Sequence, residues 1–406
     1  MNKPIILIFS AGYLPGYRAG GPIRSIESIV NLLSDEFYFK IITYDHDLGI
    51  EEPYEGVISD TWCRVGKAEV YYASKLSLRL LALSSLINSV KFDIMYLNSF
   101  FSTDFTLKPL LLRYLKINTL NCNIILAPRG EFSIGALKQK WLKKNIYIRF
   151  ARICGLYNHL IWQASSRFEK NDIITSFTKA KVSVALPITI APDLVSGSND
   201  LLHTSQHQKQ VGVLDIVFLS RISPKKNLDG ALSMLKGIQG DITFNIFGTA
   251  EDHDYWQECQ KIFQTFDSNI KVNYHGSVEH SQVRKIFQKH HLFFFPTLGE
   301  NFGHVIIEAL LEGCPILLSD QTPWRDLEDK GIGWDLSLEC PDKFRDILQR
   351  CVNMDNIEFS NLSLQTKTYA LNIVNDPLSL EQNRNLFFSA LLNNPSAASS
   401  GEYSQN

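Results

Sequence analysis

The stretch from His291 to Ser319, HLFFFPTLGENFGHVIIEALLEGCPILLS, constrains the fold more than any other part of the chain. Its apolar run, His291 to Phe295, fits a strand buried on both faces, and Pro296 stops that strand. Thr297 to Gly303 then forms a tight loop into a helix that begins near His304, with Val305, Ile306, Ala309 and Leu310 on its apolar side. After Gly313 a second buried strand is expected, Pro315 to Ser319. A strand, loop, helix, strand unit of this kind presents backbone N–H groups at a helix N-terminus. Unpaired amides and the positive end of the helix dipole make such a terminus a site for phosphate. Two carboxylates frame it, Glu300 in the loop and Glu308 about a turn inside the helix. A carboxylate accepts two hydrogen bonds, which suits the vicinal hydroxyls of a sugar or ribose ring.

Similar apolar runs recur along the chain. Strands are expected at Ile5 to Ser10, Ile41 to Tyr44, Val70 to Ala73, Asp93 to Asn98, Ile124 to Ala127 and Leu160 to Gln163, and again at Ile216 to Ser220, Ile242 to Phe247 and Val272 to His275. Helices between them predict an α/β fold with parallel sheets. The 406 residues are too many for one compact core. The expected division is a first domain over 1–195, a polar linker over 196–212 and a second domain over 213–370. A helix is expected over 371–393, and a Ser-, Ala- and Gly-rich tail, 394–406, is expected to be disordered.

Composition narrows the function. The formal net charge of −2 argues against a nucleic-acid partner bound through phosphate neutralisation. Seven cysteines without C-x-x-C spacing read as reduced thiols of a cytoplasmic protein, and Cys122, Cys154 and Cys314 lie in apolar surroundings. No apolar stretch reaches the length of about 18 residues that a membrane span needs. Met1-Asn2-Lys3-Pro4 runs straight into a strand, which leaves no room for a signal peptide. Ala136 to Tyr157 is expected as one basic and aromatic helix, with Lys138, Lys140, Lys143, Lys144, Arg149 and Arg152 interleaved with Trp141, Ile148 and Phe150. It reads either as a solvated face or as an interfacial helix attracted to anionic lipid at the inner face of the cytoplasmic membrane.

Several loops carry candidate chemistry. Arg221 and Lys226, five apart just past a buried strand, fit a diphosphate clamp, the one as a planar fork of donors and the other as a point charge. The first strand is followed by Gly12, Gly16, Gly20 and Gly21, which do not match the G-x-G-x-x-G dinucleotide fingerprint. Asp45-His46-Asp47 and Asp252-His253-Asp254 are D-x-D triplets, a pattern too short to specify a metal site.

Glu300-x7-Glu308, with Phe302-Gly303 between and Gly313-Cys314-Pro315 after, resembles the nucleotide-sugar signature of the retaining GT-B-fold glycosyltransferases of family 4, the glycosyl transferases group 1. The resemblance implies two Rossmann-like domains facing a central cleft, with the helix over 371–393 crossing back to the first domain. It implies that Glu300 contacts the transferred sugar, that the loop at Asn301, Phe302 and Gly303 meets the sugar and diphosphate, and that Glu308 holds the ribose. Arg221 and Lys226 would neutralise the leaving diphosphate; Lys225 competes with Lys226, and the family spacing favours Lys226. Gly248 would let the nucleotide approach the backbone, and Gly20-Gly21 would let the first helix approach the donor diphosphate and the acceptor. Two positions depart from the family. Asn227 stands where Gly is frequent, and Arg129, followed by Gly130 and Glu131, stands near where many members carry a His. Arg129 and Glu131 are therefore candidates for the acceptor side, or parts of a salt-bridged loop.

The implied activity is transfer of a sugar from a nucleotide-sugar donor, a UDP-sugar, to a carbohydrate or lipid-linked acceptor in envelope polysaccharide synthesis. Retention and independence from metals or other cofactors come with it. Other readings are a glycosidase built on Glu300 and Glu308, for which the basic pair would have no purpose, and an NAD-dependent oxidoreductase, which the broken glycine fingerprint disfavours. A non-catalytic sugar-nucleotide-binding protein would keep Glu308 and Arg221 and transfer nothing.

Overall fold

The computed structural model of the chain describes residues 3–117, 122–138, 141–178, 187–196 and 208–392. Its apolar runs pair into two sheets. The first contains β1 (Ile5–Phe9), β2 (Tyr38–Tyr44), β3 (Trp62–Val65), β4 (Ala68–Ala73), β5 (Ile94–Leu97), β6 (Asn123–Leu126), β7 (Ile161–Ala164) and β8 (Ile188–Ile190), in the order β3-β4-β2-β1-β5-β6-β7-β8. Every pairing in it is parallel except β3 with β4. The second contains β9 (Val213–Leu219), β10 (Asp241–Phe247), β11 (Ile270–Tyr274), β12 (Leu292–Phe295), β13 (Ile316–Ser319) and β14 (Gly333–Leu336), in the order β11-β10-β9-β12-β13-β14 and parallel throughout.

The unbroken apolar runs follow from this arrangement. A parallel sheet covered by helices buries both faces, so its strands cannot alternate apolar with polar. On β1, Leu7 and Phe9 enter one apolar cluster while Ile6 and Ile8 enter another. All four residues of β12, Leu292 to Phe295, are buried.

The chain divides into two compact units, one made of everything up to Ser196 together with everything from Asp376 onward, the other of Gly197–Asn375. The helix Pro377–Leu392 accordingly packs on the first sheet, and Leu386, Phe387 and Ala390 share a cluster with Ile6, Ile8 and Tyr96. Asn123 donates to the Ala390 carbonyl at 2.6 Å, and Arg384 pairs with Glu36 at 2.8 Å. Most of the expected linker and all of the expected tail lie outside the described residues.

Three strands had no signal in the sequence: β3, β8 and β14. Each is an edge strand of four residues or fewer, only partly buried, so each lacks the continuous apolar run that marks the central ones. The helix expected over Ala136 to Tyr157 is corrected at its ends. Helices run over Ile134–Lys138 and Trp141–Ile153, and the second ends before Gly155, which sits at φ 64°. Lys140 lies outside the described residues, as does the side chain of Lys138. No helix among the described residues is long and apolar enough to cross a membrane.

Candidate functional site

Because β9, β10, β12 and β13 are parallel neighbours, the loops that follow them emerge at one carboxyl edge, where α/β sheets place their ligands. These loops carry Arg221, Gly248, Glu300 and Trp324. They are laced together by backbone bonds: Ile222 N donates to the Thr249 carbonyl at 2.9 Å and Gly248 N to the Gly276 carbonyl at 2.7 Å. Gly248 is obligatory on steric grounds. A Cβ there would lie 1.8 Å from the Ser220 carbonyl oxygen, and its φ is 136°.

The basic turn after β9 is tied to the loop after β12. Pro224–Lys226 forms one 3-10 turn, and Asn227 follows in the left-handed region at φ 58°, a conformation Asn tolerates better than most residues. That explains how Asn can stand where glycine is frequent. The Asn227 side chain donates to the Pro296 carbonyl at 2.8 Å, and Leu298 N donates to the Lys225 carbonyl at 2.9 Å.

Across this seam Lys226 Nζ and Glu300 Oε1 form a close ion pair, with each side chain 12% exposed. Burial pushes the Glu300 carboxyl up, but Lys226, Lys225 and Arg221 outweigh it and hold the group below its usual range. Glu300 therefore stays ionised among three cations. Lys226 also lies 5.4 Å from the centroid of the Phe295 ring, which closes the floor of the site. Arg221 is more open, reaching Glu251 at 3.5 Å.

Gly303 caps the helix His304–Leu311 from the left-handed region, φ 76° and ψ 69°, and no side chain caps that end. The loop before it is held from below: Glu300 N donates to the Gln321 carbonyl at 3.1 Å, and the Trp324 indole N–H to the Phe302 carbonyl at 2.5 Å. Phe302 and Trp324 pack with centroids 5.6 Å apart. Asn301 sits between Glu300 and Phe302 in this loop. Further along the helix, Glu308 Oε1 is 2.9 Å from Nε2 of His280, the first residue of the helix His280–Phe287.

The second unit thus gathers Arg221, Lys226, Gly248, Glu300, Asn301, Phe302, Gly303 and Glu308 around adjoining loops. Sequence reasoning missed His280, because a histidine opening a polar helix has no local mark of its partner 28 residues away.

In the first unit, Gly20 sits at φ 67° immediately before the helix Gly21–Leu33, which likewise has no side-chain cap. The triplet Asp45-His46-Asp47 serves the loops around it. Asp47 accepts from Tyr17 N and Arg18 N at 2.9 and 3.2 Å, while Asp45 takes His46 Nδ1 at 2.8 Å and the Ser59 hydroxyl at 2.7 Å. Asp47 therefore pins the glycine-rich segment that leads to Gly20.

Arg129 and Glu131, offered above for the acceptor, are taken up by the fold. Arg129 forms a close ion pair with Asp193 and donates to Asn98 at 2.8 Å and to the Tyr96 hydroxyl at 2.6 Å. Burial works against its charge, and Asp193, Tyr96 and Glu169 more than restore it. Glu131 accepts from the Ser99 hydroxyl at 2.7 Å and from Phe100 N and Phe101 N at 2.5 and 3.1 Å. Arg129 has the ion pair of a salt-bridged loop, while Glu131 is held by a hydroxyl and two backbone amides. A buried ionic centre of this kind must be satisfied internally.

Comparison with known proteins places the second unit. Residues 202–337 match the family model described as glycosyl transferases group 1. An uncharacterized 41.2 kDa protein in the cps region of Klebsiella pneumoniae is 26% identical over 248 residues, 61% of this chain and 65% of that protein. The gpi3 subunit of phosphatidylinositol N-acetylglucosaminyltransferase from Schizosaccharomyces pombe is 26% identical over 130 residues, 32% of this chain and 28% of that protein. The chain thus spans less than two thirds of either curated relative. Among solved structures, Anabaena HepE in complex with UDP and glucose superposes with a TM-score of 0.66 at 13% identity, covering 96% of this chain and all of that one. Sucrose-phosphate synthase from Thermosynechococcus elongatus gives 0.68 at 14% identity, with 96% and 100% covered. The chain has the GT-B fold of two Rossmann-like α/β units, and its residues 202–337 carry a glycosyl transferases group 1 region.

Proposed function

We propose that the protein transfers a sugar from a UDP-sugar to a carbohydrate or lipid-linked acceptor, with retention and without a metal, in the synthesis of an envelope polysaccharide. The observation that carries the reading is the nearly buried Lys226–Glu300 pair, with Arg221 and Lys225 close enough to act on it, beside an uncapped helix N-terminus. Transfer from a nucleotide sugar needs fixed positive charge where the departing diphosphate gathers negative charge, and this arrangement supplies it. A glycosidase has no use for such a cluster.

In this reading Glu300 turns to the transferred sugar and Lys226 with Arg221 to the diphosphate, while Glu308 holds the ribose. The acceptor oxygen bonds to the anomeric carbon as the bond from that carbon to the diphosphate oxygen breaks, and the acceptor proton passes to the departing oxygen on the same face. The name of the Klebsiella relative supports a polysaccharide setting, and the UDP and glucose bound by HepE support the donor class. The reading carries with it a cytoplasmic location, where nucleotide sugars are made.

A panel of nucleotide sugars tested by thermal shift, then by turnover with NMR reading of the product anomer, tests this. Stabilisation by UDP-sugars and turnover in EDTA are expected, with Lys226→Ala lowering kcat about 10²- to 10³-fold. Failure of every nucleotide to stabilise the protein, or abolition by EDTA with rescue by manganese, would overturn it.

A further inference from the structure

The helix Trp141–Ile153 uses only part of its surface to pack. Ile148 and Ala151 are buried, Lys144 reaches the Ala136 carbonyl at 2.6 Å, and Arg152 lies 6.0 Å from the Phe177 ring. The opposite face leaves large apolar side chains in solvent. Leu142, Ile146, Phe150 and Ile153 are 63%, 59%, 58% and 86% exposed. At positions i, i+4, i+8 and i+11 they form one stripe, and at 3.6 residues per turn Arg149 falls on one side of it and Lys143 on the other. Both flanking residues are exposed.

The charge along this segment of sequence has one sign. Residues 132–168 contain seven Lys and Arg and neither Asp nor Glu, within a chain whose net charge is −2. An aliphatic stripe with basic flanks matches the boundary between acyl chains and anionic headgroups, where apolar side chains leave water and cations meet phosphate. A nucleic acid would answer the charge but offer nothing to Leu142, Ile146 and Ile153.

We propose that this face is a docking surface for an anionic lipid bilayer, with Leu142, Ile146, Phe150 and Ile153 entering the headgroup boundary and Lys143 and Arg149 held at the phosphates. The proposal does not depend on the sugar-transfer reading, and its test uses neither nucleotide nor acceptor. It refines what the sequence suggested: Lys144 and Arg152 turn inward, and the lipid-facing groups are chiefly aliphatic.

The full chain is sedimented with vesicles of phosphatidylglycerol and phosphatidylethanolamine, and with vesicles of phosphatidylcholine, at low and high salt. Binding should require the anionic lipid and fall with salt. Lys143→Gln with Arg149→Gln should weaken it about fivefold per charge removed. Ile146→Ser with Ile153→Ser should weaken it about tenfold or more. Lys236→Gln, an exposed lysine of the second unit, should leave it unchanged. All these positions are exposed, and circular dichroism confirms that the variants fold. A wild type that stays in the supernatant with anionic vesicles at low salt overturns the proposal. So does equal binding to phosphatidylcholine, undiminished binding of the Ile146 and Ile153 variant, or a loss with Lys236→Gln equal to that of the flanking pair. A dimer in ultracentrifugation that Ile146→Ser dissociates, without vesicle binding, would instead give the stripe to a second copy of the chain.

Discussion

Glu308 is held by His280 at 2.9 Å, and on the proposed function this contact aims the carboxylate that receives the ribose. His280→Ala should weaken UDP binding by about 0.5–1.5 kcal/mol, with His280→Gln largely restoring it, while Glu308→Ala loses roughly 1.5–3 kcal/mol. Calorimetry with UDP decides, and wild-type affinity in His280→Ala would remove the histidine from the nucleotide site. A second residue reports on pH. Burial, and then Glu169, push the Asp172 carboxyl up to about 6. Its folded value lies above the unfolded one, so the folded state holds its proton more tightly and stability falls as pH rises from about 4 to about 6. Asp172→Asn should therefore be more stable than wild type at pH 7, by about 1 kcal/mol after solvent screening, and indistinguishable from it near pH 4. Urea titrations at the two pH values would show a pH-independent difference if this is mistaken. Glu300 and Lys226 were each visible in the sequence through their own short motifs. Their pairing across 74 residues was not, because it depends on two parallel strands lying side by side.

Among the elements, the loop after β10 tolerates the least change. Gly248→Ala places a methyl group into the Ser220 carbonyl, which neighbouring backbone bonds hold in place. The loss should exceed about 4 kcal/mol, the range reserved for breaking a packed feature. Guanidinium unfolding of the variant checks it, and a midpoint within error of wild type would mean the loops can separate cheaply. The central strands were legible because burial on both faces demands continuous apolar runs. The edge strands β3, β8 and β14 escaped because one side of each is unpaired and their burial is partial. The end of the basic helix at Ile153 escaped for a different reason: Gly155 is followed at once by the apolar Leu156 and Tyr157, which prolong the pattern.

At the scale of the molecule, the first unit cannot be completed from its own opening segment. Leu386, Phe387 and Ala390 fill a cluster with Phe37, Phe39 and Tyr96, and removing a single buried aromatic typically costs 3–5 kcal/mol. A chain cut after Asn375 should thus lose the cooperative unfolding of the first unit and keep that of the second. Calorimetry of the truncated chain would contradict this by showing both transitions unchanged. The α/β class was legible from the alternation of strands and helices. The contacts of the last helix were not, since Pro377–Leu392 has no strongly one-sided pattern pointing to its partner. The return of that helix makes the second unit an insertion within the first. On a ribosome the order of completion is then the reverse of the order of synthesis. The opening half of the chain emerges first and waits with an open core, the inserted unit can close on its own, and the first unit is sealed only when the last helix leaves the exit tunnel.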